Sequence, residues 1–186
     1  DAAGHSALEL GFSTFFLNRT NRSGIISGGV IGGKKQTGTW KLDARYNKRD
    51  LIGRIQRIAR YKNRISLYCK DGKDFIRLVL PKLPKRTLVY VDPPYYAKGQ
   101  NLYRNLFTQR DHESLAASIQ RRIHQPWIVS YDAVPPVVAL YRDRRVRRYY
   151  LSYSAQMRYS GQEVMFFSDD LVLPTASHPV ISRRRR

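Results

Sequence analysis

Residues Thr87-Leu88-Val89-Tyr90-Val91 form an unbroken apolar, β-rich run that stops abruptly at Asp92-Pro93-Pro94-Tyr95. Such a run suits a strand buried on both faces of a parallel sheet. The pattern then alternates. Thr108 and Asp111 form a capping-box pair that opens a helix with Leu115, Ile119 and Ile123 at four-residue steps. Trp127–Tyr131 reads as a strand and Pro135–Tyr141 as a short helix opened by proline. Val146–Tyr153 and Glu163–Phe167 read as further strands. Strand, helix, strand, helix, strand argues an α/β sheet.

The N-terminal part is less regular. Residues 1–17 suit a helix that turns Phe12, Phe15, Phe16 and Leu17 inward. Residues 18–38 hold Gly24, Gly28, Gly29, Gly32, Gly33 and Gly38 among polar and basic residues, which reads as a long polar loop or loose hairpin. A loop of that length in a compact domain is usually functional. Gly28, Gly33 and Lys34 match part of a phosphate-binding loop, but Lys35 stands where the motif needs Ser or Thr, and no buried strand precedes it. Asn47 can cap a helix over Asn47–Arg60 whose inner face is Leu51, Ile55, Ile58 and Ala59. Arg54, Arg57 and Arg60 recur on its other side, as a solvated face or a phosphate-facing stripe. Ile65–Tyr68 and Phe75–Leu80 read as short strands around an Asp71-Gly72 turn, followed by the rigid connector Pro81-Lys82-Leu83-Pro84.

Composition narrows the partners. Lys and Arg number 34 and Asp and Glu 14 among 186 residues, a net charge of +20, which points to a polyanion, most often nucleic acid. No apolar run approaches the ~18 residues of a membrane span, so no membrane partner is expected. A lone cysteine, Cys69, excludes a disulfide framework and a zinc finger, and His5, His112, His124 and His178 sit at no metal-ligand spacing, so no metal is expected. The first residue is Asp1 and no signal peptide stands ahead of the fold, which suggests a cut within a longer protein, or a processed or truncated product. From Asp170 on, Pro, Ser and the Arg183–Arg186 run suggest a poorly ordered basic tail.

The tetrapeptide carries the chemistry. In open α/β sheets the ligand crevice lies at the carboxyl ends of strands, where Asp92 stands. Asp92 is an ionised, acceptor-only carboxylate. Pro94 keeps Pro93 extended, so the Pro93 carbonyl stays free of a ladder partner. Two acceptors and the flat face of Tyr95 fit a planar ring with an exocyclic amino group.

Asp92-Pro93-Pro94-Tyr95 resembles the signature of amino-group DNA methyltransferases, specifically the Dam-type N6-adenine class. The stretch Phe15-Phe16-Leu17-Asn18-Arg19-Thr20-Asn21-Arg22-Ser23-Gly24 is similar to the segment that opens that class's target-recognition region. Ala44–Lys48 with Leu51-Ile52 resembles its following helix, and Ile128–Asp132 the strand after the catalytic loop. Tyr149–Tyr153 and Glu163–Phe167 resemble its late hairpin.

The resemblance implies a partial Rossmann-like methyltransferase sheet in the C-terminal half with an inserted target-recognition region. Residues 1–80 would bind DNA, 81–168 form the catalytic half-domain, and 169–186 the tail. Asp92, Pro93, Pro94 and Tyr95 would be catalytic, and Asp92 would also meet the cofactor S-adenosyl-L-methionine. Double-stranded DNA would be contacted by Asn18, Arg19, Asn21, Arg22, Ser23, Lys34, Lys35, Arg45, Lys48, Lys98 and Arg104. The Arg142–Arg148 run would be a further phosphate contact or a solvated edge. Accepting both N6 hydrogens at Asp92 and Pro93 would localise the nitrogen lone pair and stabilise developing positive charge. The adenine would flip out onto Tyr95.

The class's glycine-rich methionine-binding motif and ribose-binding carboxylate precede its target-recognition region, and neither stands ahead of Phe12. The expectation is therefore a chain lacking the N-terminal cofactor-binding half, completed by a separate segment or a homo-oligomer. A site-specific enzyme of restriction-modification, in the cytoplasm at the nucleoid, is the leading reading. A catalytically inactive DNA-binding remnant and an RNA or protein-amide methyltransferase are the alternatives.

Overall fold

The computed structural model describes residues 4–97, 107–153 and 159–174, with residues 151–153 and 159–160 described by backbone alone. The chain divides into two compact units, Asp1–Tyr68 and Cys69–Arg186. Among the described residues no helix is long and apolar enough to cross a membrane.

In the first unit, α1 spans Ala7–Thr20. It opens with a capping box, in which the Ser6 hydroxyl accepts the Glu9 N–H and the Glu9 carboxylate accepts the Ser6 N–H. The helix runs further than its apolar pattern suggests, because the Asn21 N–H still closes onto the Leu17 carbonyl at 2.9 Å. Asn18 and Arg19 therefore belong to its last turn rather than to the loop. The aromatics do not all turn inward. Phe12 is exposed and stacks on Phe16, which meets Tyr46 edge-on at 5.3 Å.

The second helix, α2, spans Lys48–Ala59 and is capped by Asn47, whose Oδ1 accepts the Asp50 N–H at 3.2 Å. Of its expected inner face only Leu51 is buried; Ile55 and Ile58 are exposed. The Arg54–Asp50 ion pair spans one turn of its exposed surface.

The second unit starts with a correction. Phe75–Leu80 is not a strand: α3 covers Gly72–Leu78, and a 3₁₀ turn follows at Leu80–Lys82. Asp71 caps that helix by accepting the N–H groups of Lys73 and Asp74, so Asp71-Gly72 is a helix start and not a hairpin turn. The buried residues Ile76 and Leu80 lie four apart, the helical period. Ile65–Tyr68 likewise has no strand, being a 3₁₀ exit and open chain. The structural boundary falls at Cys69 because Ile76 and Leu80 pack into the core of this unit.

The sheet is mixed. β1 (Val89–Val91) runs parallel to β2 (Trp127–Asp132), with α4 (Gln109–Arg122) between them in the chain. After α5 (Pro135–Leu140), β3 (Arg145–Tyr153) and β4 (Tyr159–Phe167) form an antiparallel hairpin, and β4 inserts beside β2. The order is β1-β2-β4-β3, an α/β architecture as expected.

Thr108 and Asp111 do form the capping box of α4. Its Leu115 and Ile119 pack with Trp127, Val129 and Tyr131 of β2, Val137 of α5 and Val164 and Phe166 of β4. β1 is shorter than the apolar run and not sealed on both faces: Leu88 and Tyr90 are each 55% exposed. Among the described residues β1 pairs on one side only, with β2, which leaves it an edge strand.

The expected disordered tail falls largely on 175–186, outside the described residues. Ahead of them, Arg145 and Arg147 of β3 donate to the Leu171 and Pro174 carbonyls.

Candidate active site

Strand parity builds the site. Alternate residues of a strand face opposite sides of the sheet. On β2, Trp127, Val129 and Tyr131 point into the core, so Ser130 and Asp132 point the other way. On β1, Val89 and Val91 pack toward the core. Tyr90 and the residue just past the strand end, Asp92, share the face of Ser130 and Asp132. The β2–β4 register sets Asp132 directly opposite Glu163, and the β3–β4 register sets Tyr149 opposite Glu163. Across β1, β2 and β4 one side of the sheet is therefore apolar and packed against the helices. The other carries two carboxylates, a serine and two tyrosines beneath residues 92–97, and Asp92 is the first residue of that loop.

Each polar group on that face has a partner in the loop or beside it. The Tyr90 phenol donates to Ser130 Oγ at 2.8 Å, and Ser130 donates to Asp92 Oδ1 at 2.7 Å. The Tyr95 phenol donates to Glu163 Oε1 at 2.9 Å, and the Tyr149 phenol to Oε2 at 2.8 Å. Asp132 takes the loop backbone itself, with the Tyr96 N–H on Oδ1 at 2.9 Å and the Ala97 N–H on Oδ2 at 2.8 Å.

Asp132 and Glu163 are 2% and 3% exposed. Two acids directly opposite each other are unfavourable unless donors surround them, and the loop and Tyr149 supply those donors. Hydrogen bonds to charged groups contribute about 1.5–3 kcal/mol each, so the loop and the two acids stabilise one another.

Burial, and then the bond to Glu163, push the Tyr95 and Tyr149 phenols well above the ordinary tyrosine range, so both keep their protons and act as donors. Beneath Tyr96 lies His112, its ring 5.0 Å from that of Tyr96, with Nδ1 2.9 Å from the Tyr131 hydroxyl. Burial holds the His112 imidazole below its usual range against the opposing pull of Asp132 and Asp111.

Of the expected catalytic residues, Asp92 is exposed, Pro93 buried, and Pro94 and Tyr95 half-buried. No backbone N–H among the described residues donates to the Pro93 carbonyl. Ser130, Asp132, Glu163, Tyr90 and Tyr149 were not singled out from sequence, although the signal was present. Ser130 and Asp132 interrupt an otherwise apolar strand at alternate positions, and Glu163 stands just ahead of the apolar run Val164–Phe167.

The expected DNA-contacting residues divide by what their side chains do. Asn18 Nδ2 donates to the Gly24 carbonyl at 3.0 Å, and the buried Asn21 to the Ile26 carbonyl at 2.7 Å. Arg19 Nε donates to the Arg45 carbonyl, and Arg45 returns a bond to the Asn18 carbonyl at 2.8 Å. Asn18 and Asn21 stitch the end of α1 to the loop, and Arg19 and Arg45 tie α1 to the chain at Arg45. Arg22, Ser23, Lys34, Lys35 and Lys48 are exposed. Lys98 and Arg104 lie outside the described residues.

In the Arg142–Arg148 run, Arg144 pairs with Asp169 at 2.6 Å and lies over the Trp127 ring. Arg145 and Arg147 serve carbonyls of the 168–174 segment, while Arg142 and Arg148 are exposed. Most of the run is thus engaged within the chain.

Among the described residues no group of three His, Cys, Asp or Glu side chains is arranged to hold a metal ion. No curated protein matches the chain. The family model described as D12 class N6 adenine-specific DNA methyltransferase matches residues 8–158, both compact units and most of the chain. The chain belongs to that family, whose members methylate the N6 amino group of adenine in DNA.

Proposed function

We propose that Asp92, Pro93, Pro94 and Tyr95 form the methyl-transfer site. The carrying observation is the anchoring of this loop at four points on one sheet face, by Ser130, by Glu163 and twice by Asp132. With Oδ1 held by Ser130, the Asp92 carboxylate is fixed at the end of β1 and remains exposed. It and the Pro93 carbonyl accept the two N6 hydrogens, which localises the nitrogen lone pair and stabilises the positive charge that develops on it. Glu163 holds the Tyr95 hydroxyl, so the ring is a fixed platform for a flipped adenine. Alignment supplies the rest of the rate.

S-adenosyl-L-methionine is the donor in this reading. The exposed Asp92 carboxylate suits a cationic sulfonium by charge and is the residue proposed to meet it. When bound, the cofactor supplies an electrophilic methyl group. Duplex DNA is held by the exposed Arg22, Ser23, Lys34, Lys35 and Lys48, with Asn18, Arg19, Asn21 and Arg45 holding the loop in shape. Residues 1–80 then read DNA, 81–168 carry the chemistry, and 169–186 add basic charge. Such an enzyme acts at the nucleoid, as in site-specific restriction-modification.

Among the described residues the outer edge of β1 is unpaired, which favours a second reading. A carboxylate at an edge strand does not by itself enclose a ligand the size of S-adenosylmethionine, which needs most of its surface buried. A further segment, or a second copy, pairing on that edge would complete the pocket. Without it the chain binds DNA and transfers no methyl group.

Transfer of a tritiated methyl group to an adenine-containing duplex tests both readings. Transfer that disappears in Asp92→Ala while DNA affinity persists supports the first. Duplex binding without transfer, and transfer restored by an added segment, supports the second.

A further inference from the structure

Two tryptophans sit in opposite environments. Trp127 is 3% exposed in the core of the second unit, whereas Trp40 is 72% exposed in the glycine-rich loop of the first. A single exposed apolar side chain is ordinary, but the backbone that presents this one is tightly built. Gly32 has φ +85°, and a Cβ there would stand 2.7 Å from the Trp40 carbonyl, so only glycine lets the chain cross at this point. The Gly38 N–H donates to the Gly32 carbonyl at 3.1 Å.

Gln36 ties both sides of the crossing. Its Nε2 donates to the Ile31 and Gly33 carbonyls at 2.8 and 2.7 Å, and its Oε1 accepts the Leu42 N–H at 2.9 Å. Gln36 itself is held at φ +52°, and Lys41 donates to its carbonyl. A positive φ at a residue other than glycine is strained and persists only where surrounding contacts enforce it. The loop thus fixes the backbone on both sides of Trp40 and leaves the indole in water, in a segment that also carries the exposed Lys34, Lys35 and Lys41.

We propose that Trp40 is a nucleic-acid contact that stacks its indole on a base unstacked from its neighbours in duplex DNA, with the lysines of the same segment on the phosphates. The inference rests on the reading of DNA as substrate and assigns a role to a residue outside the catalytic loop. An exposed, rigidly mounted aromatic inside a cationic loop matches what stacking needs: a flat apolar face already ordered before binding, and charge to bring the polyanion to it. Every base has such a face, so this contact adds affinity without reading sequence.

The full chain and an unlabelled adenine-containing duplex oligonucleotide suffice for the test. In the free chain, iodide quenches the solvent-exposed Trp40 emission, and saturating duplex should change that emission and shield it. The DNA-dependent change should vanish in Trp40→Phe, in which the buried Trp127 reports alone. Trp40→Ala should weaken duplex binding about 5- to 150-fold, the equivalent of the ~1–3 kcal/mol of a base–aromatic stack.

The salt dependence separates stacking from charge. Trp40→Ala should leave the slope of log K against log salt unchanged, whereas Lys34→Ala and Lys35→Ala should each lower it by about 0.9. Salt-dependent duplex binding with unchanged Trp40 emission and full affinity in Trp40→Ala overturns the stacking role and leaves the DNA reading standing. Tighter binding of single strands with the same quenching overturns the duplex assignment. A chain that binds no DNA at any salt concentration overturns both.

Discussion

In residues 4–68 the buried side chains are Thr20, Asn21 and Leu51, and two of these are polar. In the second unit Ile119, Val129, Tyr131, Val137 and Val164 are sealed in a sheet–helix core. The first unit is shaped by side chains that bond backbone carbonyls: Asn18 to Gly24, Asn21 to Ile26, Arg19 to Arg45 and Gln36 to Ile31. The second is shaped by apolar burial, and its polar residues gather on the sheet face that burial leaves over. Where a core holds the fold, polar side chains are available to position a reactive loop. Where hydrogen bonds hold the fold, the polar residues that look like ligand contacts are already occupied. The exposed cations and Trp40 then remain for the ligand.

The contrast can be broken most forcefully in the core. Phe166→Ala removes a ring that stacks on Tyr141 at 4.6 Å and should cost the second unit about 3–5 kcal/mol, read from urea unfolding followed by Trp127 emission. Asn21→Ala should cost the first unit about 1–3 kcal/mol through an unpaired Ile26 carbonyl, read from hydrogen exchange at residues 18–31. An Asn21→Ala cost equal to that of Phe166→Ala would remove the distinction between the units.

Glu163→Gln sharpens the comparison without changing volume. Loss of the carboxylate should bring the alkaline titration of the Tyr95 and Tyr149 phenols down toward the ordinary range. Spectrophotometric titration of the variant against wild type measures this, and coincident curves would contradict the anchoring of Tyr95 by Glu163.

The smallest effect is a pH dependence. His112 is held neutral by burial, below its ordinary value of 6.5, with Asp132 and Asp111 facing it and the Tyr96, Phe107 and Tyr131 rings around it. The unfolded chain therefore takes up a proton there before the folded one does. The stability this lends is fully present above pH 6.5 and is lost as pH falls through and below that value. His112→Gln should flatten the acid limb of the unfolding midpoint against pH. An unchanged limb would show that other groups set it.

Much of the second unit was legible because apolar period and capping agree. Thr108 with Asp111, the apolar β-rich run of Trp127–Tyr131 and the proline at Pro135 each define an element locally. Phe75–Leu80 misled because a short apolar run fits either period, and the cap at Asp71 decided it. The run at Thr87–Val91 has the composition of a buried strand but sits at an edge, and neighbours set burial where composition cannot.

In the site, Asp92–Tyr95 was legible as a motif at a strand end. Its supports were not, because Asp132 meets the loop 36 residues away and Glu163 meets Tyr95 68 residues away. Only the β2–β4 register brings those two acids together.

The central claim is that Asp92, held by Ser130 at the end of β1, accepts one of the two hydrogens of the adenine amino group during methyl transfer. The direct measurement is incorporation of labelled methyl at adenine N6 by wild type and Asp92→Ala, with duplex affinity determined on the same samples. The account predicts incorporation reduced by about 10²–10³-fold or more, the scale of losing one electrostatic contact in a transition state, at essentially unchanged affinity. Wild-type incorporation by Asp92→Ala would contradict it.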